Sequence, residues 1–446
     1  MNDGPELLLA TTTWWPSLAV LACAFEQAGF RVTMLCPRGH IAWQARRFAC
    51  RELDRRRPAA SLLSALEAVS PTLVVPGDER VVELLRELHL EYPGLRATIE
   101  SAIGHARSHP LLTARVPLLR AAAEAGFATP HTRTLASAPA LEAWLAELPA
   151  PWVFKIDGAW GGEGVRIVAE PAEARRAVRM LGRGVPLRLA LRRKIVNGDP
   201  FPWEERRARR PIAVSAQAFV PGRPGNCAVF ALGGRVLGAT VVEAVATCGD
   251  HGPSVLVRAV DRPEVVNSAG RLVARLGLSG FLGFDVVVGR DGTAVLIEMN
   301  PRVTMPCRMQ GPFGPAPIDA AAQACGAVPR PGAPGPMRSI FASFPLAWLA
   351  DPFAPALASC SDDLPWSEPG MLRDGLRPLW PERGILASLP SRVRALRDRL
   401  HGVADRDHRH HSFAWWLDQG GLAASRRAFL KAASGRHPPT VPFTAD

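Results

Sequence analysis

The chain has 446 residues, 48% of them hydrophobic and 21% charged, with a net charge of +12. That length allows two to four domains, and the balance is that of a globular protein, so it excludes a disordered chain. Only Lys155, Lys194 and Lys431 are lysine among 53 basic residues, and the arginines are scattered with no RNA-binding or zinc motif among them. A basic surface of this kind predicts salt-sensitive, nonspecific polyanion contact with no specific nucleic-acid partner.

The eight cysteines form no CxxC pair and none sits with histidine at zinc spacing, which suits a reducing cytoplasm. The apolar run from Leu7 to Phe25 has the wrong start for a signal peptide, because Asp3 and Glu6 precede it and Trp14-Trp15-Pro16 interrupts it. No other stretch reaches the ~18 apolar residues of a membrane span.

In chain order, residues 6–11 read as a buried strand, 17–29 as a helix and 30–36 as a second strand, the opening of a parallel, doubly wound sheet. A helix over 61–69, a strand over 72–76 and a helix over 78–90 continue it. The turn Thr11-Thr12-Thr13-Trp14-Trp15-Pro16 lacks the glycines of a dinucleotide site. A helix over 111–126 closes at Gly126, ahead of Pro130. Strand, helix and strand signals alternate over 132–170. Residues 182–211 are arginine-rich and read as an irregular loop or lid insertion. Strands over 212–220, 227–233 and 235–245 read as one antiparallel sheet, joined at Pro221-Gly222 and Gly233-Gly234. A helix over 263–277 precedes a hairpin of 281–288 and 293–299 with Asp291-Gly292 at its tip. Residues 329–336 read as a linker. A weak strand near 338–345 and helices near 390–402 and 412–432 make up a C-terminal appendage.

Three segments carry chemistry. In the hairpin, Gly283-Phe284-Asp285-Val286-Val287-Val288 faces Val295-Leu296-Ile297-Glu298-Met299-Asn300-Pro301-Arg302. Antiparallel pairing can set Asp285 opposite Glu298, and alternation puts Glu298 and Asn300 on one face. The apolar flanks make isolated acids costly, and oxygen ligands of this kind suit magnesium with phosphate oxygens completing the shell. The second segment runs from Val153 through Lys155 to the glycines 158, 161, 162 and 164. A lysine on a strand before such a loop supplies a point charge and backbone N–H groups for phosphate. The third is Gln217-Ala218-Phe219-Val220 before Pro221-Gly222, a strand exit that can offer backbone groups to a purine edge.

In this order, the three segments resemble the ATP-grasp superfamily over roughly residues 1–330. The resemblance implies an α/β fold, α+β in the grasp region. An open parallel domain would occupy 1–104 and a two-part grasp domain 105–330, its lid about 132–212 and its metal-bearing part 212–330. An appendage would follow over 331–446. It implies that Lys155 contacts the nucleotide, that Gly161, Gly162 and Gly164 cover its phosphates, and that Gln217, Ala218, Phe219 and Val220 receive the adenine. Gln217 stands where a glutamate is common. Asp285, Glu298 and Asn300 would hold Mg2+ or Mn2+, and Arg302 would steady phosphate and acyl-phosphate oxygens. Counting back from Gly126 places Arg115 where the family usually has lysine. The activity implied is ATP-dependent ligation of a small carboxylate to an amine, with a homodimer as a candidate assembly. A phosphoryl transferase of carboxylase type and an ATP-binding regulator without turnover stand as alternatives. His251 reads either as a base or as part of an ordinary loop, Glu243 either as a nucleotide contact or as a plain strand residue. Asp407–His411 reads as a solvated helix start, and Trp14, Trp15, Trp415 and Trp416 as packing residues.

Overall fold

A computed structural model describes residues 4–157, 164–196, 199–208, 212–247, 254–330, 340–343, 347, 354–358 and 360–375. The expected features at Gly161, Gly162, His251, 390–402, 407–411 and 412–432 lie outside these residues, as do positions 331–336 of the expected linker.

The first sheet is parallel, in the order β3-β2-β1-β4, from β1 (Glu6–Ala10), β2 (Arg31–Cys36), β3 (Ala49–Glu52) and β4 (Leu73–Pro76). Helices α1 (Pro16–Gln27), α2 (Pro58–Val69), α3 (Glu79–Glu91) and α4 (Arg96–Ile103) follow the strands. Proline opens α1 and α2, where its missing N–H costs nothing. Asp78 caps α3 by accepting from Val81 N. The helix expected from 111 begins only at Arg115, as α5 (Arg115–Glu124), after a 3-10 turn over Ala106–Leu111.

The second sheet is antiparallel, in the order β5-β8-β6-β7, from β5 (Thr132–Leu135), β6 (Trp152–Ile156), β7 (Val165–Val168) and β8 (Val214–Ala218). Helices α6 (Ala138–Glu147) and α7 (Pro171–Gly182) cover it. The stretch expected to be irregular contains two helices, α8 (Leu187–Val196) and α9 (Phe201–Arg207). Its leucines and arginines are good helix formers, and Pro200 and Pro202 sit at the start of α9, where proline is tolerated.

The third sheet has seven strands, in the order β13-β12-β9-β10-β11-β14-β15. They are β9 (Arg223–Leu232), β10 (Arg235–Thr247), β11 (Ser254–Ala259), β12 (Gly280–Val288), β13 (Ala294–Asn300), β14 (Ile340–Ala342) and β15 (Ser361–Asp362). Helices α10 (Pro263–Leu276), α11 (Pro317–Ala324) and α12 (Pro369–Gly375) complete the described elements. Here one expectation is corrected. The strand over 212–220 is not in the sheet of its successors; β8 pairs with β5 and β6, and Pro221-Gly222 carries the chain from one sheet to the next. Gly222 has φ +157°, and a Cβ there would lie 2.3 Å from the carbonyl oxygen of Val288.

The parallel sheet and the seven-stranded sheet share two cores. One joins α2, α3, α4 and α5 to α10 and to Val229, Phe284 and Leu296. The other joins α1 to α11 and to Phe230 and Phe281. The second sheet keeps a core of its own around Trp144, Trp152 and Phe154. No described helix is long and apolar enough to cross a membrane.

Phe281 is the aromatic hub between the two large units, edge-on to Phe25 at 5.3 Å and 4.9 Å from Phe230. Phe281→Ala is expected to cost about 3–5 kcal/mol, measured by urea unfolding, because it removes transfer energy and leaves a cavity that two rigid sheets cannot close.

Candidate active site

The seven-stranded sheet sets a row of polar groups across three strands. Asp285 on β12 lies opposite Asn226 on β9 and opposite Glu298 on β13. Directly opposed residues share a face, so all three point the same way, as the hairpin pattern predicts for the two acids. Asn226 Nδ2 donates to Asp285 Oδ1 at 2.7 Å, and Asn300 Nδ2 donates to Asp285 Oδ2 at 2.9 Å. Burial first, and Glu298 second, push the Asp285 carboxyl up against these two bonds.

Glu298 has the opposite balance. Burial alone would raise it, but Arg115, Lys155 and Arg302 outweigh burial and hold it below the ordinary carboxylate range. Arg115 enters because α5 starts at that residue. Its NH2 donates to Glu298 Oε1 at 2.6 Å, and its NH1 donates to Ile156 O at 3.1 Å and to Asp157 Oδ1 at 3.2 Å. One guanidinium thus ties the end of β6 to β13.

Lys155 lies on β6 between Val165 and Ser215, its side chain buried. Its ammonium has no hydrogen-bond partner among the described residues. Burial lowers its pKa to about 8, with Arg115 in the same sense and Glu298 and Asp285 opposing. Gly164 O accepts from Ile156 N at 3.1 Å, which places Gly164 at the end of β6, next to Lys155. Gln217 is buried, and its Nε2 donates to Ile297 O at 3.3 Å. Ala218 N bonds to His131 O, and Phe219 and Val220 follow, partly exposed, at the rim. Arg302 Nε donates to Glu79 Oε1 at 2.7 Å and NH2 to Asn300 Oδ1 at 3.3 Å. Burial works to lower the pKa of Arg302, but Glu79 with Asp285 and Asp78 outweighs it and keeps the guanidinium charged. The arginine expected at the phosphates therefore also clasps the parallel-sheet unit.

Two residues went unread in the sequence. Asn226 sits in Arg223-Pro224-Gly225-Asn226, where Pro-Gly suggests a turn, yet β9 starts at Arg223 and includes it. Asp157, two residues past Lys155, takes the far end of Arg115. Glu243 pairs with Gly225, so it lies on the other sheet face from Asn226 and Asp285, and Arg262 Nε donates to its Oε1 at 2.9 Å. The tryptophans read as packing residues also serve arginines, with Arg55 4.4 Å over Trp14 and Arg302 5.6 Å from Trp15.

Residues 116–306 match the sequence profile of the ATP-grasp domain. The chain carries an ATP-grasp domain. Arg115 lies one residue ahead of the matched span, and Lys155, Asp285, Glu298, Asn300 and Arg302 lie within it. The fold is shared with carboxyaminoimidazole ribonucleotide synthase from Aspergillus clavatus, complexed with ATP, at 15% identity and TM-score 0.52, over 75% of this chain and 79% of that one. It is shared with biotin carboxylase from Campylobacter jejuni, in a β-γ-ATP complex, at 14% identity and TM-score 0.53, over 74% and 72%. Comparison with the curated proteins gave no match.

The donor set of this ATP-grasp domain fits a hard divalent cation. Two opposed carboxylates and two amides offer only oxygen. Among the described residues Asn226 Oδ1 is buried without a hydrogen-bond partner, an acceptor with a use for a cation. Among the described residues no three His, Cys, Asp or Glu side chains cluster as metal ligands, so the set here is two carboxylates supplemented by amides.

A carboxyl whose pKa rises on folding takes up protons as the chain folds, so ionised Asp285 costs stability above its ordinary value of 3.8 and the cost fades on acidification. Asp285→Asn removes that charge, and Asn226 can turn its orphan oxygen toward the new amide. The variant is expected to melt about 2–4 °C higher than the parent near neutral pH, by calorimetry, for a gain of about 1 kcal/mol.

Proposed function

We propose that this chain is an ATP-dependent carboxylate–amine ligase, which activates a small carboxylate as an acyl phosphate and passes the acyl group to an amine with release of ADP and phosphate. The observation that carries the reading is the facing pair Asp285 and Glu298, with Lys155 and Arg115 set against it inside an ATP-grasp domain.

A carboxylate is a poor electrophile, and phosphorylation gives it a leaving group. The work left to a protein is positioning and charge neutralisation. Asp285, Glu298 and Asn300 would hold magnesium, with Asn226 behind them. When bound, the ion supplies positive charge to the β- and γ-phosphates. Lys155 presents its ammonium to the same phosphates and sheds its burial cost on meeting them. Arg115 keeps Glu298 ionised and fixes its orientation. The segment holding Gly161, Gly162 and Gly164 gives backbone N–H groups to the terminal phosphate, and Gln217 to Val220 line the adenine. Arg302 steadies the oxygens of the activated acid. None of these steps needs a protein nucleophile, in keeping with the lack of a serine or cysteine triad signature in the sequence.

Two measurements test the reading. Glu298→Gln is expected to cut amine-dependent ADP release at least roughly a hundredfold, the scale of losing one preorganised charge. Unchanged turnover in a folded variant removes Glu298 from the site. Lys155 gives a pH signature. Its lowered pKa leaves the folded state with fewer protons than the unfolded one between about 8 and 10.5. Its burial cost is therefore full below pH 8 and is relieved as pH rises through that window. ATP requires the protonated form, so affinity by calorimetry is expected to weaken from pH 7 to pH 9. Lys155→Met should bind ATP weakly with that pH dependence gone.

A further inference from the structure

The strand order β3-β2-β1-β4 reverses its direction of growth between β1 and β4. In an open parallel sheet such a switch opens a crevice beyond the carboxyl ends of the strands. Asp78 sits there, fully buried, and accepts from Thr11 Oγ1 at 2.8 Å, Thr12 N at 2.6 Å, Thr12 Oγ1 at 3.2 Å and Val81 N at 3.1 Å. These bonds fix its place, and its charge also favours the ionised forms of Arg55 and Arg80, on each of them less than Asp199 does.

Beside it stand two cations. Arg55, on the loop between β3 and α2, is buried against Trp14 at 4.4 Å. Arg80, in the first turn of α3, lies 4.1 Å over the ring of Phe201, which is 5.4 Å from Arg55. Their shared counter-ion belongs to another unit. Asp199 Oδ1, from the insertion between β7 and β8, is 2.7 Å from Arg55 NH2 and 3.8 Å from Arg80 NH1. The same insertion places Glu205 and Arg193 near Arg80. Burial works to lower the pKa of both Arg55 and Arg80, and Asp199 is the largest opposing influence on each. A desolvated guanidinium pair needs an oxyanion, and planar forks of this kind suit carboxylate and phosphate alike. The switch point is also tied directly to the site described above: Glu79, next to Arg80, takes Arg302, and Val303 N bonds to Pro76 O at 3.1 Å.

We propose that Arg55 and Arg80 form the seat for an anionic group carried by the substrate away from its reacting atoms, and that Asp199 fills this seat until the substrate displaces it. The proposal rests on the ligase reading for the word substrate and names its class, a small molecule bearing a further carboxylate or phosphate. Displacement frees Asp199 and Phe201 together, so α9 leaves the crevice as the ligand enters.

The test uses the full-length protein without nucleotide, titrated by calorimetry with glutarate and with inorganic phosphate. Asp199→Asn is expected to bind one of the two about tenfold tighter than the parent, the scale of one charged hydrogen bond, and the probe that gains identifies the chemistry. Adding Arg80→Met should abolish the gain. Equal affinity in the parent and Asp199→Asn, or a gain that survives Arg80→Met, overturns the proposal. Should Asp199→Asn not fold, hydrogen exchange over 199–208 of the parent decides: faster exchange on adding probe upholds displacement, unchanged exchange overturns it. Glu298→Gln separates this proposal from the ligase reading. A probe gain retained in Asp199→Asn/Glu298→Gln upholds the seat, while turnover retained in Glu298→Gln sinks only the ligase reading.

Discussion

Two carboxylates face each other across an antiparallel ladder, Asp285 and Glu298, and the rest of the structure is arranged to make that tolerable. Side chains at opposed positions stand only about 4.5–5.5 Å apart at Cβ, a separation at which like charges repel. The chain answers with Arg115 on one acid, two asparagine amides on the other, and Lys155 and Arg302 within electrostatic reach. The division of labour is uneven. Glu298 is held ionised, while Asp285 is pushed toward protonation by its burial. A site organised for folding alone would not keep an acid so poorly compensated beside a buried, unsatisfied amide oxygen. Buried charge that a polyvalent ligand would relieve supports the site proposed above.

The same charges join the cleft to the parallel sheet. Arg302 reaches Glu79 at the head of α3, and the peptide after it bonds to the end of β4. The two large units also share both major cores. A substrate held at the ends of β1 and β4 would therefore meet a cleft whose position is set by close packing and not by a flexible joint.

Much of this could be read in the sequence because it is local. Asp291-Gly292 between alternating apolar runs specifies the hairpin, and the hairpin specifies that Asp285 meets Glu298. Lys155 before a glycine segment is equally local. What escaped was decided by distant partners. Asn226 is hidden because Pro224-Gly225 imitates a turn, and pairing with β10 and β12 draws it into a strand. The sheet to which β8 belongs depends on β5 and β6, from which it is separated by the whole α7–α9 insertion. The face taken by Glu243 depends on registers with two neighbouring strands. The helices α8 and α9 were obscured by arginine density, which reads as loop when the surface they lie on is unknown. Arg55 and Arg80 carry no motif at all; a switch point in strand order brings them together.

The four-stranded sheet owns its core, with Trp144 and Phe154 packed among residues of the same unit. Among the described residues its ties to the larger body include the Arg115 fork, Gln217 on Ile297 O, Asp199 between two guanidiniums and the Phe201 ring against the same two arginines. Such a layout gives the molecule two tiers of cooperativity. With its core separate from theirs, the small sheet would part from the joined sheets at lower cost than the joined sheets would melt. A ligase of the kind proposed above would open along this seam to exchange its charged ligands while the joined cores stay packed.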